Sequence, residues 1–277
     1  MRLNLIKNLT IVGAGKMGKA LISGWISNGL PKEELTIIGR DIKGSSILIN
    51  DHIVNITTYK EKNIKSNILV LAVKPQIMPA VLKKIIPIID SNTIIVSIAA
   101  GITMKSMRSH IGNENRIIRA MPNTPAAIGK GMTVLFSDKE LNDIEKNSVT
   151  DLMAAVGEVK WVIKEDIMNL ITAISGSGPA YFFYLTECLM NIAKLEGLDE
   201  ELSRQLSIET FIGSASLVEK YKTMSIKEHR KNVTSPGGTT EAALNILMSQ
   251  DILQDLMHKA VKSAVQRGNI LSGDRKS

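Results

Sequence analysis

Short runs of Ile, Leu and Val recur through the first half of the chain, and the stretches between them place apolar residues at helical spacing. Leu9–Val12, Leu35–Ile38, Ile68–Val73, Thr93–Ile98, Ile117–Ala120 and Thr133–Phe136 read as strands, and Met17–Ser27 as the helix after the first of them. The runs are mostly continuous in apolar character rather than alternating, which suits strands buried on both faces of a parallel sheet. Pro31, Pro75, Pro122 and Pro125 fall at strand ends or in loops, where a missing N–H costs little. The pattern predicts an α/β, Rossmann-like doubly wound domain over residues 1–163.

From about Asp166 the period lengthens. Asp166–Ile174, Ala180–Leu195, Glu200–Tyr221, Glu241–Met248 and Ile252–Ile270 all read as helices, with Gly197 as a helix stop and Asp199 as the next N-cap. Residues 164–277 are therefore expected to form an all-α domain. In Phe211–Val218 apolar residues lie on more than one helical face, whereas a helix wetted on one side would carry a cleaner polar stripe. This predicts helices buried against a second copy of the chain.

Composition narrows the function classes. The 277 residues are 44% hydrophobic and 22% charged, as in a soluble globular protein. Aromatic residues make up only 4%, too few for the stacking platforms of a single-strand nucleic-acid binder. The net charge of +7 comes from scattered residues, such as Lys60, Lys62 and Lys65 interleaved with Glu61 and Asn63, and nothing resembles a nucleic-acid arm. It reflects either ordinary surface composition or attraction of anionic ligands. The single cysteine, Cys188, sits in an apolar helical stretch and reads as core filler. The residues around Met1–Asn8 make a poor signal peptide and no apolar run is long enough to cross a bilayer, so a cytoplasmic location is expected, with no membrane partner. The four histidines are far apart in sequence and no metal site is expected.

Two segments carry candidate anion chemistry. Gly13-Ala14-Gly15-Lys16-Met17-Gly18 follows a strand and opens a helix, the context a dinucleotide-binding glycine turn requires. The first glycine permits the tight turn, the second lets backbone approach the pyrophosphate, and the third allows close helix–strand packing. The second predicted strand ends in Gly39 and Arg40 where an NAD site usually has an acid. Arg40 can fork onto a 2′-phosphate, which favours NADPH; with Asp41 as the ribose acid instead, NADH is possible. Far downstream, Ser235-Pro236-Gly237-Gly238-Thr239-Thr240 precedes a helical pattern. Bare amides and the positive dipole end would there meet a small acid.

Three further segments lie at strand ends or helix starts: Ala72-Val73-Lys74-Pro75, Arg119-Ala120-Met121-Pro122-Asn123-Thr124-Pro125 and Ser175-Gly176-Ser177-Gly178-Pro179-Ala180-Tyr181. With the glycine turn, Asn232-Val233-Thr234 and the S-P-G-G-T-T segment, they follow the order and approximate spacing of pyrroline-5-carboxylate reductases, which this sequence resembles over essentially its whole length. The resemblance implies a Rossmann domain followed by a helical dimerisation domain, with homodimers assembling into a larger homo-oligomer. It implies reduction of 1-pyrroline-5-carboxylate to L-proline with NAD(P)H, the last step of proline biosynthesis. By similarity, Val12, Gly13, Ala14, Gly15, Lys16, Met17, Gly18, Ala72, Val73, Lys74, Pro75, Ala100 and Asn232 are expected at the cofactor. Gly238, Thr239 and Thr240 are expected at the substrate, with the Thr240 hydroxyl on the ring nitrogen as the catalytic group.

Two positions depart from that pattern. Many relatives carry an Asn where Tyr59 stands here, near the adenosine of the cofactor, and some carry a Glu ahead of the Asn-Val segment where Thr223–Ile226 has none. Two rival readings share the glycine turn. A β-hydroxyacid dehydrogenase would look to a lysine on the first helix of the second domain, and Asp166–Ile174 contains none. A non-catalytic NADPH-binding regulator would not need the second anion cradle.

Overall fold

The computed structural model describes residues 2–39, 46–49, 52–57 and 64–273. Arg40, Asp41 and Tyr59, which bear on the expectations above, lie outside the described residues. Its strands are β1 (Leu9–Val12), β2 (Leu35–Ile38), β3 (Ser46–Ile49), β4 (His52–Thr57), β5 (Ile68–Leu71), β6 (Ile94–Ser97), β7 (Arg116–Met121), β8 (Gly131–Ser137) and β9 (Gly157–Val162). They form one sheet in the order β3-β4-β2-β1-β5-β6-β7-β8-β9. β4, β2, β1, β5, β6 and β7 run parallel. The chain builds outward from β1 through β2 to β4, then crosses back to β5 on the other side of β1. The strand order therefore reverses between β1 and β5, and ligands of such sheets sit outside the strand ends at that point.

Helices α1 (Lys16–Ser27), α2 (Met78–Ile85), α3 (Met104–Ile111) and α4 (Asp143–Ala154) cover the two faces. Val70 of β5 packs in one buried cluster with Leu21, Ile22 and Trp25 of α1 and Leu152 of α4. Its neighbours Leu69 and Leu71 pack in the other, with Met78 and Leu82 of α2 and Met107 of α3. This two-sided burial is why the strands read as unbroken apolar runs. Trp25 is fully buried and its indole N–H donates to the Leu152 carbonyl at 2.8 Å, so the large side chain is inserted without an orphaned donor. α4 begins in a capping box, Asn142 Oδ1 accepting from the Glu145 N–H and Glu145 accepting from the Asn142 N–H.

β8 pairs antiparallel with β7. A parallel return needs a crossover of a dozen or more residues, usually a helix. Residues 122–130 offer only a short connection with one 3₁₀ turn, so the chain comes straight back.

The later helices are α5 (Met168–Ile171), α6 (Gly178–Leu195), α7 (Glu200–Lys220), α8 (Ile226–Asn232), α9 (Thr239–Leu247) and α10 (Ile252–Leu271). The predicted helix Asp166–Ile174 is α5 followed by a π-turn over Thr172–Gly176, in which the Ser177 N–H reaches back to the Thr172 carbonyl. α6 ends as expected at Gly197, φ +97°, with Leu198 N–H on the Ala193 carbonyl, and Asp199 caps α7 by accepting from the Leu202 N–H at 2.9 Å.

Packing divides the chain at a different place from the change in periodicity. The first compact unit is Met1–Ser177 with Ala264–Ser277, and the second is Gly178–Ser263. Residues 164–177 stay with the sheet because Met168 is buried in its core. In the second unit α6 and α7 pair along their length, with Phe182 and Phe211 rings stacked at 6.1 Å. Its buried residues are only Gly178, Thr186, Ser203 and Ser207.

Candidate active site

The turn from β1 into α1 follows from three glycines with three different jobs. Gly13 adopts φ +101°, and a Cβ on it would fall 2.6 Å from the Ala72 carbonyl oxygen. A Cβ on Gly18 would fall 2.3 Å from the Gly13 carbonyl oxygen, so α1 can lie against the turn only without one. Gly15, the exposed N-cap of α1, has nothing within 4 Å of its Cβ position, and no side chain caps the helix. The Lys16, Met17 and Gly18 N–H groups thus precede the first i−4 bond, that of the Lys19 N–H to the Gly15 carbonyl, with the dipole's positive end behind them. The cradle fits a dinucleotide pyrophosphate.

Parallel strands bring the other expected cofactor segments to the same sheet edge. Gly13 N–H continues the ladder to the Ile38 carbonyl and Gly39 N–H to that of Thr57. Ala72 N–H donates to Val12, so the Ala72–Pro75 segment begins directly beside the glycine turn. Ala72 and Val73 are half-buried; Lys16 and Lys74 are exposed. Ala100 follows β6 at the same edge. Next to it, Gly101 (φ +72°) is buried, where a Cβ would lie 2.9 Å from Leu271 Cβ at the end of α10. No feature of Gly39 bears on the 2′-phosphate beyond its place at the end of β2.

A brace that no sequence motif marks ties β7 to the start of α3. Arg119 of β7 is buried, and its guanidinium donates to Glu165 Oε1 at 2.6 Å. The same oxygen accepts the Met104 N–H at 2.8 Å, capping α3 just after the Ala100–Gly101 turn. Asn123 makes a second tie, Nδ2 donating to the Ser175 carbonyl at 3.2 Å and Oδ1 accepting the Met132 N–H at 2.8 Å. A Cβ on Gly176 would collide with Met121 Cε at 2.5 Å. The M-P-N-T-P and S-G-S-G-P segments are therefore fastened to each other.

In the second unit, Ser235-Pro236-Gly237-Gly238 forms a β-turn with the Gly238 N–H on the Ser235 carbonyl at 3.0 Å and Gly237 at φ +70°. Proline second and a positive-φ glycine third is the type II arrangement. Gly238 is then the N-cap of α9, without a side-chain cap bond, and Thr239 and Thr240 are its first helical residues. The structure changes the expected donor set: Gly238 has already given its N–H to Ser235, so the open amides are those of Thr239, Thr240 and Glu241. Thr240 is half-buried. Asn232 ends α8 in the same unit, exposed, its amide against Met224 Sδ at 3.4 Å. Glu228 is held in a capping box with Ser225, whose hydroxyl and N–H pull its carboxyl below the ordinary range. Its carboxylate is engaged as a helix cap.

Comparison with known proteins agrees with both halves. The family description "Pyrroline-5-carboxylate reductase dimerisation" matches residues 165–271, and "NADP oxidoreductase coenzyme F420-dependent" matches residues 8–101. A pyrroline-5-carboxylate reductase from Pasteurella multocida is 35% identical over 265 residues, 94% of this chain and 96% of that protein. The chain belongs to the pyrroline-5-carboxylate reductase family. Among solved structures, the family member from Coxiella burnetii superposes with a TM-score of 0.85 at 33% identity, covering 96% of this chain and 99% of that one. The Plasmodium falciparum pyrroline carboxylate reductase with NADP bound gives 0.80 at 31%, covering 97% and 99%. Among the described residues no cluster of His, Cys, Asp or Glu could hold a metal ion, and no helix is long and apolar enough to cross a membrane.

Proposed function

We propose that this chain reduces 1-pyrroline-5-carboxylate to L-proline with NADPH, the last step of proline biosynthesis. The observation that carries the reading is the type II turn leading into α9. It delivers open amides and a threonine hydroxyl together in the first turn of α9, in a chain whose family acts on a carboxylated cyclic imine. When bound at the glycine turn, NADPH supplies the hydride. The Thr239 and Thr240 N–H groups, reinforced by the α9 dipole, hold the substrate carboxylate. The Thr240 hydroxyl hydrogen-bonds the ring nitrogen, which must end protonated as the imine carbon gains hydride. A strong acid is unnecessary if the imine binds already protonated, so positioning does most of the work. Gly13, Gly15 and Gly18 shape the pyrophosphate cradle, and Arg40 is assigned to the 2′-phosphate.

The exposed apolar surface of the second unit supports a homodimer assembling into a larger homo-oligomer. The lone Cys188 fits a reducing compartment such as the cytoplasm. The test is NADPH oxidation measured with pyrroline-5-carboxylate, with a β-keto acid and with neither, and repeated with NADH. Oxidation only with the cyclic imine, faster with NADPH, is expected. Turnover of the β-keto acid alone, or of neither compound, overturns the reading.

A further inference from the structure

The substrate turn already holds one carboxylate of its own. Glu241, the third residue of α9, reaches back so that its Oε2 accepts the Gly237 N–H at 2.8 Å. In an ordinary capping box the acid at this position would take the N-cap N–H. Here that donor, on Gly238, is spent on Ser235, so Glu241 reaches one residue further. Two N–H groups of the turn are thereby satisfied inside the protein. Ala242, the next residue, already bonds the Gly238 carbonyl, leaving three amides in the first turn of α9 without an i−4 partner. The cradle is thus a small donor set with a fixed negative charge beside it.

We infer that Glu241 is a positioning and specificity residue for the substrate carboxylate, a role that rests on the proposed reduction of a cyclic imino acid. Its hydrogen bond holds Gly237 in the left-handed conformation the turn requires and keeps the Thr239 and Thr240 amides aimed outward. Its charge selects among anions. Attraction to the amides and repulsion by Glu241 both scale with the anion's charge, whereas the cost of stripping its water scales with the square of that charge. The potential that Glu241 weakens therefore still holds a single carboxylate but no longer offsets the desolvation of a dianion. The site is therefore matched to a monocarboxylate and rejects inorganic dianions of similar size.

Two substitutions separate the hydrogen bond from the charge. Glu241→Ala removes both; Glu241→Gln keeps an acceptor for Gly237 and removes only the charge. With NADPH and pyrroline-5-carboxylate at constant ionic strength, Glu241→Ala is expected to raise KM for the imine about fivefold, the scale of one exposed charge-assisted hydrogen bond. The change in kcat is smaller and KM for NADPH stays as it was. Glu241→Gln recovers most of the KM. Sulfate inhibits both variants about fivefold more strongly than the unsubstituted protein. Unchanged imine KM in Glu241→Ala together with unchanged sulfate inhibition in both variants overturns the inference. So does a parallel rise in KM for both substrates, which marks general damage. Thermal stabilisation by sulfate needs no turnover, so it reads the charge effect even if the unsubstituted protein fails to reduce the imine. That failure would sink the proposed reaction rather than the role of Glu241 as an anion filter.

Discussion

The sheet unit and the helical unit differ most in what they bury. In the first, Leu9, Ile11, Leu21, Ile22, Trp25, Leu69 and Leu71 are wholly withdrawn from solvent. In the second, four small residues are all that is buried, while Phe182, Phe183, Tyr184 and Leu185 of α6 are each more than half exposed. Ordering a residue's backbone costs about 1–2 kcal/mol, and apolar burial is what offsets it. The sheet unit recovers that cost within one chain. The helical unit buries too little to recover it alone, and the exposed apolar side chains of α6 and α7 suit cover by another surface. The glycine turn thus stands on a self-sufficient scaffold, and on the proposed reading the turn before α9 stands on one that assembly would complete.

The sharpest way to break this contrast is to place charge on the uncovered face. Phe183→Glu with Leu189→Glu should convert the protein to monomers and melt the helical unit while the sheet unit keeps its fold. At ~1.5–3 kcal/mol per buried side chain, counted twice across a two-fold interface, the dimer loses roughly 6 kcal/mol or more. Sedimentation and circular dichroism check it. An unsubstituted protein that is a stable monomer at micromolar concentration would remove the premise. Next in size is Thr240→Val. A positioned polar group is worth about a hundredfold in turnover, or ~2.7 kcal/mol, and this one belongs to the helical unit. NADPH affinity, measured by fluorescence titration, should not move. An unchanged kcat would leave Thr240 without its assigned role.

What the sequence revealed divides along physical lines. β1 and β2 are legible to the residue because they are buried on both faces, and the glycine turn is legible because its three glycines fall at a fixed short spacing between a strand and a helix. β9 was not recognised: exposed Glu158 and Lys160 alternate with partly buried neighbours, as on a half-wetted edge, so no apolar run marks it. The antiparallel direction of β8 lies in the length of the connection before it rather than in its composition. Glu165 was missed because its partners, Met104 and Arg119, are 61 and 46 residues away and share no motif with it. At the turn before α9 the motif is visible in the sequence but the open donors are not, since the Gly238 N–H is used up by a hydrogen bond within the turn.

A paired glycine experiment sharpens the picture of the sheet unit. Gly18→Ala forces a Cβ onto the Gly13 carbonyl oxygen, an overpacking that should cost ~1–3 kcal/mol of stability in that unit. Gly15→Ala meets nothing in the protein and has φ −71°, which any residue adopts, so the fold should tolerate it. Its methyl group instead stands where the pyrophosphate approaches, and NADPH affinity should fall. Calorimetric melting with and without NADPH separates the two: one variant loses stability in both conditions, the other loses only the increment due to cofactor. Reversal of that pattern would mean the glycines have been assigned the wrong roles.

The smallest expected effect concerns acid. Arg108 on α3 grips Asp138 through two hydrogen bonds, Nε to Oδ2 at 2.8 Å and Nη2 to Oδ1 at 2.6 Å, and this holds the Asp138 carboxyl below its ordinary value of 3.8. A carboxyl depressed on folding stabilises the folded state above its unfolded pKa, and that contribution fades as pH falls through the lower folded value. The pair is partly exposed, so about 1 kcal/mol is at stake after screening. Asp138→Asn should therefore be less stable than the unsubstituted protein at neutral pH, with the difference shrinking as both are titrated below the ordinary carboxylate range. Urea melts of the sheet unit at two pH values measure it. The helical unit does not contain this pair, so the same difference between Asp138→Asn and the unsubstituted protein appearing in its helices would show that the two units unfold together and that the independence argued from burial is wrong.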